Sequence, residues 1–82
     1  MTTTNASIRI DSAITRAIRA KQLDTRRARL VRAIMEVTDA HIDAAIRAAY
    51  VLDEQGIMPH QIRTNYRAAG ITYDLVNEAF NN

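Results

Sequence analysis

Arg26, Arg27, Arg29 and Arg32 fall within one short run, and guanidinium groups at that density can grip phosphate or carboxylate through paired N–H donors. Asp24 and Thr25 stand just before them and belong to the residue types that cap helices, so the run should fill the first turns of a helix. Arginines in that place oppose the helix macrodipole by some tenths of a kcal/mol each, so folding alone does not favour them there. A bound anion reverses the balance, because free amides, the positive helix end and the guanidinium groups act on it together. The plainer alternative pairs Arg32 with Glu36 four residues on, lets Asp24 offset part of the charge and leaves the rest solvated. Arg9, Arg16, Arg19 and Lys21 carry the basic character upstream. The candidate nucleic-acid-binding residues are therefore Arg9, Arg16, Arg19, Arg26, Arg27 and Arg29.

Other side chains offer less chemistry. His41 lies between Asp39 and Asp43, but side chains two apart on a helix do not converge, so acid-base or metal work there would need help from elsewhere. It reads better as a helix start with acidic residues near the positive dipole end. His60, just after Pro59, reads as a first-turn surface residue. Asp74 and Glu78, four apart, could face one another as paired carboxylates, yet no further residue of known position supports general acid and base roles. Ser7 and Ser12 sit in no nucleophile-elbow context. The two glycines form no phosphate loop. No catalytic residue, metal site or cofactor is expected; the chemistry is that of a binding protein and not of an enzyme.

Charge is unevenly divided. Residues 1–39 hold eight Lys or Arg against four Asp or Glu, net +4, while residues 40–82 hold three against five, net −2. Attraction to an anionic partner must therefore act through the first half. The absence of cysteine rules out disulfides and thiolate metal sites and fits a reducing, cytoplasmic setting. No apolar run is long enough to span a bilayer, and Met1 to Asn5 has no signal-peptide apolar core. Asp11 and Asp24 interrupt what would otherwise imitate an acidic-poor mitochondrial presequence.

Eighty-two residues make one domain, near the size at which a lone core just suffices, so a homodimer is expected. Residues 1–6 should form a mobile tail. Ser7-Ile8-Arg9-Ile10-Asp11 alternates polar with apolar and suits a short strand. From Asp11 or Ser12 a helix with Ile14, Ala17, Ile18 and Lys21 along one stripe runs to about Gln22. It cannot continue, because at 100° per residue Leu23, Leu30, Ile34 and Val37 fall nearly opposite Ile14 and Ile18. The break belongs at Leu23 to Thr25, and a second helix to about Thr38 buries Leu30, Val31, Ile34 and Val37. A third starts at Thr38 or Asp39, carries Ile42, Ala45, Ile46, Ala49 and Leu52, and ends at Gly56 in a left-handed cap. Pro59 opens a fourth, expected to run to Gly70 with Ile62, Tyr66 and Ala69 inward. A fifth begins after Thr72. Gly56-Ile57 and Gly70-Ile71 look alike, each Ile able to staple onto the residue five later, Ile62 or Val76. The fold class is mainly α with about five short helices: a basic segment over 7–38 and an acidic trihelical unit over 39–82.

Residues 7–38, as strand, short helix and Asp24-Thr25-Arg26-Arg27-Ala28-Arg29, loosely resemble a ribbon-helix-helix DNA-binding domain. That resemblance implies that Ser7, Arg9 and Asp11 face base edges and that Thr25 to Arg27 touch phosphate; the usual glycine between the helices is missing. Residues 39–80 resemble in outline the trihelical helix-turn-helix of some plasmid DNA-binding proteins, through Gly56, Pro59, Ile62-Arg63, Gly70 and Val76. Here the would-be recognition helix offers Asp74 and Glu78, which repel phosphate, so the unit is expected to serve assembly. The sequence points to a small dimeric nucleic-acid-binding regulator, with DNA favoured over RNA; the alternative is an adaptor or inhibitor that docks its arginines on an acidic protein surface.

Overall fold

The computed structural model of the chain describes residues 5–81, all of whose regular elements are helical. They are α1 (Asn5–Arg19), α2 (Thr25–Thr38), α3 (Ile42–Glu54), α4 (Pro59–Thr64) and α5 (Tyr66–Asn81). The protein is mainly α. No described helix is long and apolar enough to cross a membrane.

The strand expected at residues 7–11 is helix, since all five lie inside α1. Five alternating residues cannot outweigh the longer pattern, in which Ile10, Ile14 and Ala17 recur at i, i+4 and i+7 and are all buried. The ribbon reading of Ser7, Arg9 and Asp11 falls with the strand. Of the expected tail, Asn5 and Ala6 open α1, and residues 1–4 lie outside the described residues.

The chain breaks between Arg19 and Thr25, where the phase of its apolar positions shifts. α1 ends in a left-handed turn at Lys21, φ 59°, closed by the Gln22 amide on the Ala17 carbonyl (2.9 Å) and the Lys21 amide on Ile18 (3.0 Å). This paired closure satisfies carbonyls that the helix end leaves open. Asp24 stands at the N-cap of α2 in extended backbone, but its side chain makes no capping bond.

α2 is the hub and touches every other helix. Leu30, Val31, Ala33 and Ile34 are buried on it, which is why its apolar face spans more than one stripe. α3 packs its alanines inward: Ala44, Ala45, Ala48 and Ala49 are buried beside Leu52, while Ile42 and Ile46 are only partly covered. Small side chains let α2 and α3 approach closely. The α2–α3 junction differs from expectation, because Asp39 takes the left-handed cap at φ 58° with its amide on the Met35 carbonyl, and His41 becomes the N-cap of α3. The Thr38 hydroxyl meanwhile donates to the Ile34 carbonyl at 2.7 Å.

Gly56 behaves as read, with φ 75° and with Ile57 donating to the Leu52 carbonyl at 3.0 Å. The cap thereby sends Ile57 back toward the core in which Ile62 is buried.

Gly70 does not behave as read. It has no positive φ and sits inside α5, so α4 ends at Thr64 and the chain turns at Asn65. The Asn65 Oδ1 accepts the amides of Arg67 (2.9 Å) and Ala68 (3.1 Å), starting α5 there. With a helix start already supplied, nothing stops the helix at Gly70: Ala68, Thr72 and Val76 stay buried at four-residue spacing straight through it. The buried Thr72 hydroxyl is satisfied by the Ala68 carbonyl at 2.7 Å.

Candidate nucleic-acid interface

The fold divides the six candidate arginines among three places. Arg9, Arg16 and Arg19 are exposed on α1. At 100° per residue they share a strip of about 80°, turned away from the helix's buried residues. Ser12 lies among them and no carboxylate does; Asp11 lies on another side of the helix and is bound to Arg32. None of the three arginines has an ion-pair partner among the described residues. Two of them, Arg16 and Arg19, occupy the last turn of α1, where positive charge also favours the helix.

Arg27 turns inward. Its guanidinium lies 4.4 Å from the centre of the Tyr50 ring on α3, and bonds Asp53 through Nε (3.2 Å) and Asp24 through Nη1 (3.3 Å). Loss of hydration works against the charged form, but the carboxylates of Asp24 and Asp53 outweigh it and raise its pKa. Arg26 shares the same carboxylate, with Nη2 at 3.0 Å from the Asp53 Oδ1. The N-terminal turn of α2 is thus tied to the C-terminal end of α3 by two arginines on one aspartate. Folding gives these two residues a role of their own, which the sequence reading of an anion site did not foresee, because Asp53 stands 26 residues beyond Arg27.

Arg29 is exposed and has no ion pair among the described residues. It borders a groove of about 780 Å³ between α2 and α4, lined also by Arg26, Arg32, Arg63, His60 and the Asp53 carboxylate, with Leu30, Ile57, Met58 and Pro59 as its apolar part. Arg32, Arg63 and His60 were outside the candidate set. Arg63 belongs by sequence to the acidic half, and only the packing of α4 on α2 carries it here. Arg32 does not pair with Glu36; it pairs with Asp11, while Glu36 takes Arg63 at 2.9 Å. Both exchanges join different helices where sequence reasoning proposed a bond within one.

Arg9 lies beside a second cavity, formed where α1 meets the end of α2 and the start of α3 and lined in part by His41 and Asp39. Asp74 and Glu78 are exposed on α5. No three His, Cys, Asp or Glu gather as metal ligands among the described residues. The arrangement offers two kinds of surface: a hydroxyl-bearing cationic strip on α1, and an arginine-lined groove with an apolar part.

No curated protein and no solved structure matches the chain. A family model does match, over residues 1–82, and by it the chain belongs to a family of unknown function, DUF7185.

Proposed function

We propose that this protein is a small, dimeric nucleic-acid-binding regulator that meets phosphate through the solvent face of α1, with DNA the favoured target. One observation carries the reading: Arg9, Arg16 and Arg19 share a strip with Ser12, and no carboxylate lies within it. Arginine and hydroxyl side chains on a helix are the groups that fix a protein to a phosphate backbone without reading sequence. Arg29 adds a fourth unpaired cation, whereas Arg26 and Arg27 are engaged with Asp53. The acidic helices α3 to α5 supply assembly in this reading, in the cytoplasm and without catalysis.

The test is fluorescence polarisation with random duplex DNA, and separately RNA, across a salt series. Release of counterions from about three phosphates gives a log-log slope of about −2.7, so affinity should fall about 40-fold between roughly 50 and 200 mM salt. Replacing Arg9, Arg16 and Arg19 by Gln should remove most of that slope, about one unit per arginine. Absence of binding at the lowest salt would end the reading.

The α2–α4 groove favours a second reading, a protein-binding adaptor, because Met58 is 54% exposed in a lining that includes Leu30. An acidic partner held there should survive salt that strips DNA, and Met58→Glu should release it. If Met58→Glu leaves every lysate protein bound as tightly as before, the groove has no such role.

A further inference from the structure

Tyr66, Gly70, Tyr73 and Asn77 recur at i, i+4, i+7 and i+11 along α5, and at 100° per residue they lie in a strip about 60° wide. The buried residues Ala68, Thr72 and Val76 lie on another side of the helix. Tyr66, Gly70, Tyr73 and Asn77 are all exposed. Tyr66 is 99% exposed and Tyr73 45%; the Tyr73 hydroxyl donates to the Val37 carbonyl at 2.7 Å, which fixes how that ring lies on the surface. Gly70 between them is helical, and a Cβ built on it would meet no atom within 4 Å. Glycine weakens a helix interior relative to alanine, and no contact among the described residues requires it here. A glycine flanked by two exposed tyrosines on an outer face leaves space for the backbone of another helix.

The charges beside the strip say which helix. Arg67 and Asp74 are seven residues apart and so lie on one flank, both exposed and both without an ion pair among the described residues. In heptad terms, with the strip at positions a and d, both occupy e. Two such helices packed antiparallel bring their e flanks together. A twofold axis between Gly70 and Ile71 then sets residue 67 against residue 74 in both directions. A parallel pair instead sets the e flank against Ala69 and Val76, which carry no charge. The flank is complementary to itself in one orientation only, as an isologous interface requires.

We propose that a second copy of this chain packs antiparallel on this face of α5, with Arg67 of each copy against the partner's Asp74 and Gly70 near the crossing point. The inference rests on the dimeric part of the function proposed above and is independent of its nucleic-acid part, so the measurement contains no nucleic acid. One helix offers less than the roughly 800 Å² per partner of a standard interface, so the dimer belongs to the small, transient class and is to be sought over a wide concentration range.

Sedimentation equilibrium of the full chain at low salt, from about one to several hundred micromolar, should show a monomer-dimer equilibrium. Arg67→Asp alone, or Asp74→Arg alone, places like charges opposite one another and should weaken association roughly tenfold or more. The double variant R67D/D74R restores both pairs and should return within about threefold of wild type. Tyr66→Ala, an exposed substitution with an unchanged circular dichroism spectrum, should weaken association as well. A chain that stays monomeric at every concentration overturns the proposal. So does a dimer indifferent to the single charge reversals, or one that the double variant fails to restore; in either case the arginine strip of α1 is judged on its own binding data.

Discussion

Lys21 and Asp39 both end their helices in the left-handed region, at φ 59° and 58°, a conformation that costs an ordinary L-residue about 1 to 2 kcal/mol and glycine none. Asp tolerates it better than Lys, since its short side chain finds local hydrogen bonds. Lys21→Gly should therefore stabilise the protein by about 0.5 kcal/mol, after the extra unfolded-state freedom of glycine is subtracted, and Asp39→Gly should gain less. Urea denaturation of the two variants gives the order directly. The two natural glycines should respond to alanine with opposite signs. At Gly56, with φ 75°, alanine should cost about 1 kcal/mol. At Gly70, helical and open to solvent, it should add about 0.5 to 1 kcal/mol when measured at a dilution where the chain is monomeric. Equal responses would mean that the conformations of the two sites had been misassigned.

Helix starts and stops were legible in proportion to how local their causes are. The break before Thr25 follows from phase and the stop at Gly56 from a residue with a single conformational reason, and both stand where sequence places them. Gly70 carried the same composition and misled, because the deciding residue was Asn65, whose carboxamide takes two amides of α5. Asn65→Ala should lower stability by about 1 kcal/mol in thermal unfolding, the usual effect of losing such a cap; no change would return weight to a start at Thr72. The candidate site was legible only in composition. That the first half is basic could be counted; that Arg26 and Arg27 would close on Asp53 of α3, while Arg9, Arg16 and Arg19 would share a strip, depends on which helices meet and on α1 beginning earlier than its alternation suggested. Asp53→Asn tests that division at the level of the α2–α3 junction. It should cost about 1 to 3 kcal/mol, because the Asp53 carboxylate is largely buried and serves two arginines, and should strengthen DNA binding in the polarisation assay by freeing Arg26 at the start of α2, while Arg27 stays on Asp24.

Across the molecule, burial concentrates on α2, whose Val31, Ala33 and Ile34 have no exposed surface. α1 lies at the opposite extreme: among the described residues it touches only α2 and α3, and those of its residues that are buried are Ile10, Ile14 and Ala17. Local opening follows contact density, so amide hydrogen exchange should be fastest in α1 and slowest in α2. Uniform protection would contradict an α1 laid onto a finished α2–α5 core. The left-handed turn that ends α1 adds a consequence for proteolysis. Lys21 is exposed and, among the described residues, is the one lysine or arginine outside a helix, and exposed turns are where proteases act first. Brief trypsin treatment should therefore cut after Lys21 before any other site. Among the described residues, the arginine-bearing helix would then be held to the remainder by its three buried side chains, the partly buried Ile18 and the Asp11 to Arg32 pair, a scission that separates the cationic strip of α1 from the rest of the chain without altering a residue of either.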